Sequence, residues 1–342
     1  MSVVGAVARV FTPEDLLQCA LDPGWADTGG SHCLVVRLDA GELPSGRKAA
    51  TLIGWLATLP IPLIGLGAAG DDGLSDAMDV LVDTQDELDR AVAQISSNPT
   101  ACAVLVQVLR AVGSLGIQEA LALESLAYST LQGGREFARW LTEYRAGQQI
   151  RPSPQDGDVL LLQRDGERLE IVLNSPRNRN ALSTVLRDGL TDAFRLVAMD
   201  DTIRRVDVRA NGPCFSAGGD LTEFGSARDA AAAHMIRMLR MPARYLEPSA
   251  DRYHFHLHGA CIGAGIELPA FAGRVTAEAD SCFQLPELAM GLIPGAGGCV
   301  SIPRRIGRQR TVYLAMMNAR IDAEQALEWG LVDAIVEREA GP

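Results

Sequence analysis

The chain has 342 residues, of which 47% are hydrophobic and 22% are charged, a composition typical of a globular protein with a large apolar core. Its net charge of -12 argues against a nucleic-acid-binding protein, because surfaces that follow phosphates need clustered positive charge. The seven cysteines contain no CxxC pair, which favours reduced thiols in a cytoplasmic protein. No apolar run reaches the roughly 18 residues of a membrane span, so we expect no membrane segment.

The first 82 residues predict alternating helices and strands. Thr12 followed by Pro13 predicts a helix start, with Thr as the N-cap and Pro at the first helical position. The run CLVVRLD (33–39) predicts a strand, LIGWLATLPIPLIGL (52–66) a helix followed by a strand, and MDVLV (78–82) a further short strand. None of these segments carries a motif that indicates a function.

Residues 84–147 predict a block of helices, and the polar, Pro- and Gly-marked stretch 148–158 predicts a linker after it. The block is indicated by a capping box, an Asn-Pro helix start and apolar residues at helical spacing. These features lie at 84–87, 98–99, 104–112, 117–131 and 135–144.

Beyond the linker, predicted strands alternate with helices. The predicted strands are 159–163, 169–173, 203–210 and 253–257, with a helix over 182–197. An Ala- and Gly-rich turn, FSAGGDLTEF (215–224), follows the third of these strands. This alternation predicts an α/β fold with parallel crossovers.

Five motifs in this half of the chain resemble the crotonase superfamily, the enoyl-CoA hydratase/isomerase fold, and they occur in the family's order. They are LNSPRNRNALS (173–183), FSAGGDL (215–221), HGACIGAGIEL (258–268), LPELAMGLIPGAGG (285–298) and IDAEQALEWGLVDAIVE (321–337). The resemblance implies a crotonase-like spiral core built from ββα units.

The resemblance assigns catalytic roles to two carboxylates and two backbone amides. Glu267 and Glu287 occupy the acid/base positions typical of hydratases, and the N–H groups of Gly219 and Ala264 occupy the oxyanion-hole positions. Since both glutamates are present, we expect an enoyl-CoA hydratase, which adds water across the α,β double bond of an acyl-CoA. No cofactor is expected, because coenzyme A is part of the substrate. The alternatives are an isomerase or CoA-ester hydrolase of the same fold, or a catalytically silent subunit that binds acyl-CoA or a partner.

The resemblance also implies a set of substrate-binding residues, in turns that contact coenzyme A and in a loop that closes over the acyl chain. The expected residues are Ser216, Ala217, Asp220, Leu221, Arg177, Arg179 and Gly295. The two arginines suit phosphate groups because the guanidinium is a planar fork of donors, although a solvated surface arginine is an equally good interpretation of each.

Two features depart from the family pattern. His254, His256 and His258 share one face of a predicted strand, where family members usually carry small apolar residues. An HxHxH run can bind a metal ion, but no acid or cysteine is obviously placed beside it, so we expect no metal site. Pro269 and Gly273 replace good helix formers after Glu267, which should shorten or kink that helix.

The order of segments also departs from the family. Family members continue past their GLVDAIVE-like strand into helices that complete the acyl pocket and support trimers, whereas in this chain the block from Thr84 to Ala146 resembles those helices. We expect a degenerate crotonase-like remnant over 1–82, a helical block with a linker over 83–150, and a catalytic core over 151–342. The helices are expected to contact the core, within one chain or swapped between subunits of a trimer or dimer of trimers.

Overall fold

The structure is a computed structural model that describes residues 3–4, 8–22, 31–40, 45–67, 73–147, 157–227 and 229–337. Most of the predicted linker, 148–156, lies outside the described residues. The described residues form an N-terminal sheet, a group of four helices and a larger C-terminal core.

The N-terminal sheet has four parallel strands and one antiparallel edge strand, in the order β1-β2-β3-β4-β5. Its strands are β1 (Val3–Val4), β2 (Ala8–Phe11), β3 (Cys33–Arg37), β4 (Leu63–Leu66) and β5 (Val80–Val82). The predicted strands at 33–39 and 78–82 are confirmed with shorter bounds, whereas β2 was not predicted.

Helices cover both faces of this sheet. On one face lie α1 (Pro13–Leu21), α2 (Gly46–Thr58) and α3 (Leu74–Ala77). Alternate residues of β3 point in opposite directions: Leu34 and Val36 join the cluster under α1 and α2, while Cys33 and Val35 join the main core. A parallel strand buried on both faces reads as a continuous apolar run, which is the pattern of CLVVR.

The helical block is confirmed as four helices. They are α4 (Gln85–Ser97), α5 (Pro99–Val112), α6 (Ile117–Gln132) and α7 (Arg135–Gly147). The predicted capping box is present at the start of α4, where Thr84 and Glu87 bond each other's backbone amides.

The C-terminal core contains a six-stranded sheet and a three-stranded sheet. The large sheet has the order β14-β11-β9-β8-β7-β6 and is parallel except for the edge strand β6, and the small sheet has the order β10-β12-β13. The strands are β6 (Leu160–Asp165), β7 (Arg168–Leu173), β8 (Arg205–Ala210), β9 (Tyr253–Leu257), β10 (Ala260–Ile262), β11 (Arg274–Glu278), β12 (Cys282–Gln284), β13 (Ile321–Asp322) and β14 (Ala334–Val336).

Two successive units place one strand in the large sheet, the next in the small sheet, and then a helix or turn: β9 is followed by β10, and β11 by β12. The helices are α8 (Thr184–Met199), α9 (Ala230–Arg240), α10 (Ala243–Leu246), α11 (Ala264–Glu267), α12 (Gly298–Ile306), α13 (Arg308–Met316) and α14 (Ala323–Trp329). A 3₁₀ turn, Glu287–Met290, follows β12. The predicted α/β core is therefore confirmed.

The four helices of the block contact the C-terminal core of the same chain. Helix α5 packs against α12 and α13, α6 against α9 and α12, and α7 against the turn Glu287–Met290. Apolar residues of both parts form one continuous buried cluster. The upstream helices thereby cover faces of the core that would otherwise expose apolar surface.

A buried carboxylate, Asp79, joins all three parts of the protein. Asp79 follows α3, is fully buried, and accepts the Leu63 N–H of β4 at 2.9 Å. Its carboxylate also binds the guanidinium groups of Arg110 on α5 and Arg308 on α13. Because a buried charge is tolerated only with partners of this kind, Asp79 fixes the N-terminal sheet against the helices and the core.

Within the described residues, no single helix is long and apolar enough to cross a membrane. Only α4 and α5 taken together meet that length and composition, and they are bent by 107°.

Candidate active site

Two glutamates of the core point at the same place beside Gly263. Glu267 is the last residue of α11 and is 2% exposed, and Glu287 begins the 3₁₀ turn after β12. A Cβ placed on Gly263 would lie 2.5 Å from Glu287 Oε1 and 3.6 Å from Glu267 Oε1. The structure thus brings together the two glutamates that the sequence singled out.

The backbone before Glu267 needs a glycine at position 263 because of its φ angle, and at position 265 because a Cβ there would lie 2.6 Å from the Ser216 carbonyl oxygen, but not at position 264. Gly263 has a φ of 49°, which residues with a Cβ rarely adopt, and Ala264 then begins α11 with a negative φ. Alanine is therefore compatible with position 264. The helix ends after one turn at Glu267, and Pro269 begins a 3₁₀ turn, so the predicted shortening of this helix is confirmed.

Glu267 holds a loop that closes one side of the cavity, residues 294–299. Its Oε2 accepts the N–H of Ala296 at 2.7 Å and that of Gly298 at 2.9 Å. Hydrogen bonds from backbone amides to a carboxylate favour its ionised form and fix its orientation.

A third carboxylate, Glu124 of α6, holds the same loop from the opposite side. Its Oε1 accepts the N–H of Gly297 at 2.8 Å and its Oε2 accepts the N–H of Cys299 at 2.8 Å, and the side chain is fully buried. The N–H groups of four consecutive residues, 296–299, therefore donate alternately to Glu267 of the core and to Glu124 of the helical block.

Sequence reasoning missed Glu124 as a site residue, although a signal was present. Leu121, Glu124 and Tyr128 lie at i, i+3 and i+7 and share the buried face of α6. An acid in an apolar helical stripe needs a buried donor. The sequence did not show where the donors were, because they lie 173 and 175 residues away along the chain.

Burial raises the pKa of all three glutamates. Loss of solvent is the largest cause in each case, and it raises the pKa of Glu267 to about 7 against the opposing effect of its amide donors. The pKa values of Glu287 and Glu124 are raised well above the ordinary range by burial and then by repulsion from Glu267. Glu287 Oε2 is buried and has no hydrogen-bond partner among the described residues, which suits a protonated carboxyl group. The group therefore contains both an acid and a base near neutral pH.

The two amides expected to form an oxyanion hole both face this cavity. Gly219 and Ala264 line it, and neither N–H donates to a protein acceptor in the part of the chain that the structure describes. The two turns approach each other closely. A Cβ placed on Gly218 would lie only 2.9 Å from the Ile262 carbonyl oxygen. Free amides from two neighbouring turns can bind one oxygen atom.

The cavity has a volume of about 390 Å³ and lies between the core and α6. Residues between 223 and 242 supply much of its wall, and Tyr128 and Gln132 of α6 supply another part. Arg237 stacks on the Tyr128 ring, with its guanidinium carbon 4.7 Å from the ring centroid. Its positive charge opposes the rise in the pKa of Glu124.

Gly295 lies where the loop passes over Tyr128. A Cβ at this position would be 2.4 Å from the tyrosine ring, so only glycine fits. Gly295 also lines the cavity.

The remaining expected substrate-binding residues surround the turn 215–221 but contribute unequally to the cavity. Asp220 lines it, yet its carboxylate is engaged by Asn178 Nδ2 and by the N–H of Thr222. Ser216 is buried and its hydroxyl donates to the Asn180 carbonyl at 2.7 Å, which makes it a support of the turn.

The other four expected residues of this set lie outside the lining of the cavity. Ala217 and Leu221 are partly exposed, and the Ala217 N–H donates to the Arg179 carbonyl at 2.9 Å. Arg177 and Arg179 are both exposed at the surface. This backbone hydrogen bond connects Arg179 to the turn 215–221, and Arg177 lies two residues before Arg179 in the chain.

An α/β spiral with this arrangement of acids and amides has the fold of the crotonase superfamily. Residues 166–340, just over half of the 342-residue chain, match the family model of enoyl-CoA hydratase/isomerase. The chain belongs to this family.

Comparison with known proteins gives both hydratase and isomerase relatives. An enoyl-CoA isomerase/hydratase of Mycosarcoma maydis is 34% identical over 174 residues, which cover 48% of this chain and 64% of the relative. The 2,3-dehydroadipyl-CoA hydratase of Escherichia coli is 31% identical over 176 residues, 52% of this chain and 68% of the relative. The chain thus spans a little under two thirds of the first of these relatives. A solved enoyl-CoA hydratase from Thermoplasma volcanium is 33% identical, with coverage of 53% and 73% and a TM-score of 0.48.

We expect Glu124→Ala to release the loop. The substitution removes two hydrogen bonds to a charged or strongly polarised carboxyl group, each worth about 1.5–3 kcal/mol, so the amides of Gly297 and Cys299 should exchange with solvent at least about tenfold faster. Amide hydrogen exchange measures this directly. Glu119→Ala, at an exposed position of the same helix, is the control and should leave the protection of both amides unchanged. Equal protection in Glu124→Ala and Glu119→Ala would show that the carboxylate does not hold the loop.

We expect the free energy of unfolding of the native chain, compared with that of Glu267→Gln, to fall as the pH rises from about 4.5 through about 7. In this range the unfolded chain has released the Glu267 proton while the folded protein still binds it, so the folded state loses stability with rising pH; glutamine cannot titrate. Urea unfolding across this range gives the two curves. Glu324→Gln, at an exposed position, should follow the native curve. Parallel curves for the native chain and Glu267→Gln would mean that the pKa of Glu267 is not raised.

Proposed function

We propose that this protein is an enoyl-CoA hydratase. The observation that carries the proposal is that Glu267 and Glu287 point at one place beside Gly263, with two free amides in the same cavity. Hydration needs a base to activate water and an acid to protonate the α carbon. An isomerisation needs only one group to move a proton between two carbons.

In the proposed reaction, Glu267 acts as the base. Its carboxylate is oriented by the amides of Ala296 and Gly298, and it takes a proton from the water whose oxygen bonds to the β carbon. The electron pair of the double bond moves toward the thioester, which places negative charge on the thioester oxygen. The N–H groups of Gly219 and Ala264 would bind that oxygen, and one such donor typically contributes about 3 kcal/mol to lowering the barrier.

Glu287 acts as the acid. Its raised pKa keeps the carboxyl group protonated, and it gives its proton to the α carbon as the enolate collapses. The product is a β-hydroxyacyl thioester, and a proton must then pass from Glu267 to Glu287 to restore the starting state. The common approach of both side chains to Gly263 supports such an exchange. No step needs a cofactor.

Several wider properties belong to the same proposal. We propose an acyl-CoA substrate, a cytoplasmic location and a homo-oligomer, on the basis of composition and of the family. We also propose that the chain derives from a tandem pair of crotonase units, in which α4–α7 take the place of the helices that follow the core in family members. The contacts of α5 and α6 with α12 support this assignment.

A double-bond isomerase is the second candidate. The Mycosarcoma maydis relative is named for both activities, and a single carboxyl group of raised pKa would serve that reaction. Crotonyl-CoA and a 3-enoyl-CoA distinguish the two, because only a hydratase consumes the conjugated thioester by adding water. Release of free coenzyme A would indicate a hydrolase, and binding without turnover would indicate a silent subunit.

We expect Glu267→Gln and Glu287→Gln each to lower kcat for crotonyl-CoA hydration by about 10²–10⁴-fold, which is the usual contribution of a general acid or base. Glutamine keeps the size of the side chain, so binding of a non-reactive acyl-CoA should change little, as measured by calorimetry. Glu324→Gln serves as the matched control and should retain full activity. Undiminished hydration in either site variant would remove that glutamate from the mechanism.

A further inference from the structure

Three side chains of the kind that bind metals meet on the outer face of the large sheet. Asp207 of β8 pairs in register with His254 of β9, and His256 lies two residues further along the same face. The opposite face of β9 carries the buried side chains of Tyr253, Phe255 and Leu257, so the histidines point away from the core. Among the residues that the structure describes, those lining the cavity of the candidate active site do not include Asp207, His254 or His256. The cluster is therefore separate from that site.

The geometry of the three side chains is that of one potential ligand set. One ligand atom from each lies within 4.8 Å of the others. His256 Nε2 is 2.9 Å and His254 Nδ1 is 3.7 Å from Asp207 Oδ1. Ligand atoms about 2 Å from a tetrahedral ion are ~3.3 Å apart, so small side-chain movements would place all three around one ion.

His254 lies between Thr276 and the carboxylate. Thr276 Oγ1 is 3.0 Å from His254 Nε2 and 3.5 Å from the Phe255 carbonyl oxygen. When the threonine hydroxyl donates to that carbonyl, it accepts from Nε2–H, and the lone pair of Nδ1 faces Asp207 Oδ1. Two acceptors that face each other are stabilised by a cation between them.

The carboxylate is oriented by groups outside the ligand set. Arg168 Nε binds Asp207 Oδ2 at 2.7 Å, and Oδ1 lies toward the histidines. Hydrogen bonds to the second oxygen of a ligating carboxylate and to the second nitrogen of a ligating histidine are the usual surroundings of a metal site. Asp207 is fully buried, while the histidines are partly exposed, so an ion can enter from solvent.

Nearby positive charge sets the expected strength of binding. Arg205 Nη2 also approaches Asp207 Oδ1, at 2.9 Å, and Arg274 acts on His254 from the neighbouring strand. Glu170, close to Arg168, offsets part of this charge. An ion at Oδ1 would compete with Arg205, so removal of that guanidinium should strengthen binding.

We propose that Asp207 Oδ1, His254 Nδ1 and His256 Nε2 bind one divalent transition-metal ion, with Zn²⁺ the best match. Two imidazoles and one carboxylate leave a fourth tetrahedral position for water, and nitrogen ligands disfavour Mg²⁺ and Ca²⁺. The site joins β8 to β9 at a distance from the cavity, and the proposal is independent of the hydratase assignment. The HxHxH run alone led us to expect no metal site, because its acidic partner Asp207 lies 47 residues before His254 and only the sheet brings them together.

Calorimetry of the full chain with Zn²⁺, Co²⁺ and Mg²⁺ tests the site. We expect one Zn²⁺ per chain, visible absorption bands of tetrahedral Co²⁺, and no heat from Mg²⁺. His254→Gln and His256→Gln keep the side-chain size and should each weaken Zn²⁺ binding at least about tenfold. His258→Gln is the matched control, since His258 belongs to the same HxHxH run but bonds the Gly212 carbonyl instead, and it should bind normally.

Arg205→Ala separates a metal site from a simple network of charges. Its guanidinium competes with the ion, so we expect tighter Zn²⁺ binding in this variant. Absence of Zn²⁺ binding in the native chain, equal loss in the His258 variant, or weaker binding in Arg205→Ala would each overturn the proposal. Retained binding in both His254→Gln and His256→Gln would show that the ion binds elsewhere.

Discussion

The candidate site depends on one reciprocal interaction, between the loop 294–299 and two buried carboxylates. Glu267 accepts the first and third of four consecutive loop amides, and Glu124 accepts the second and fourth. Without these amides neither carboxylate would have enough partners to stay buried, and without the carboxylates the amides would lack acceptors in an apolar environment. Each side therefore stabilises the other. The position of Gly295 over Tyr128, and with it one wall of the cavity, follows from this interaction.

The same interaction links the architecture of the chain to its chemistry. Glu124 comes from a helix that precedes the core in sequence, while Glu267 and Glu287 come from the core itself. Repulsion from Glu267 raises the pKa of Glu287 and of Glu124 beyond the effect of burial alone, and repulsion from Glu124 raises the pKa of Glu287 further. The helical block therefore influences the protonation of Glu287 as well as the shape of the cavity. Asp79 binds Arg110 of the helical block and Arg308 of the core, and so holds the block against the core.

Local signals in the sequence were sufficient for the helices and for the motifs. Pro99 after Asn98, the capping box at Thr84 and apolar residues at helical spacing predicted α4–α7, because each signal acts within a few residues. The two core glutamates were found because each lies in a family motif. Glu124 and Asp207 were not assigned, because their partners lie far along the chain and only tertiary packing brings them together. The strand Ala8–Phe11 was missed for a related reason: a four-residue segment is defined by the neighbour it pairs with.

The central claim is that the helices before the core complete the catalytic cavity. Separate expression of residues 1–150 and 151–342, followed by crotonyl-CoA hydration assays on each fragment and on their mixture, tests it most directly. We expect neither fragment to be active alone, because the loop would lack Glu124 and the core would expose the apolar surface that α5 and α6 cover. Mixing the fragments should restore hydration. A folded 151–342 fragment with full activity would contradict the claim.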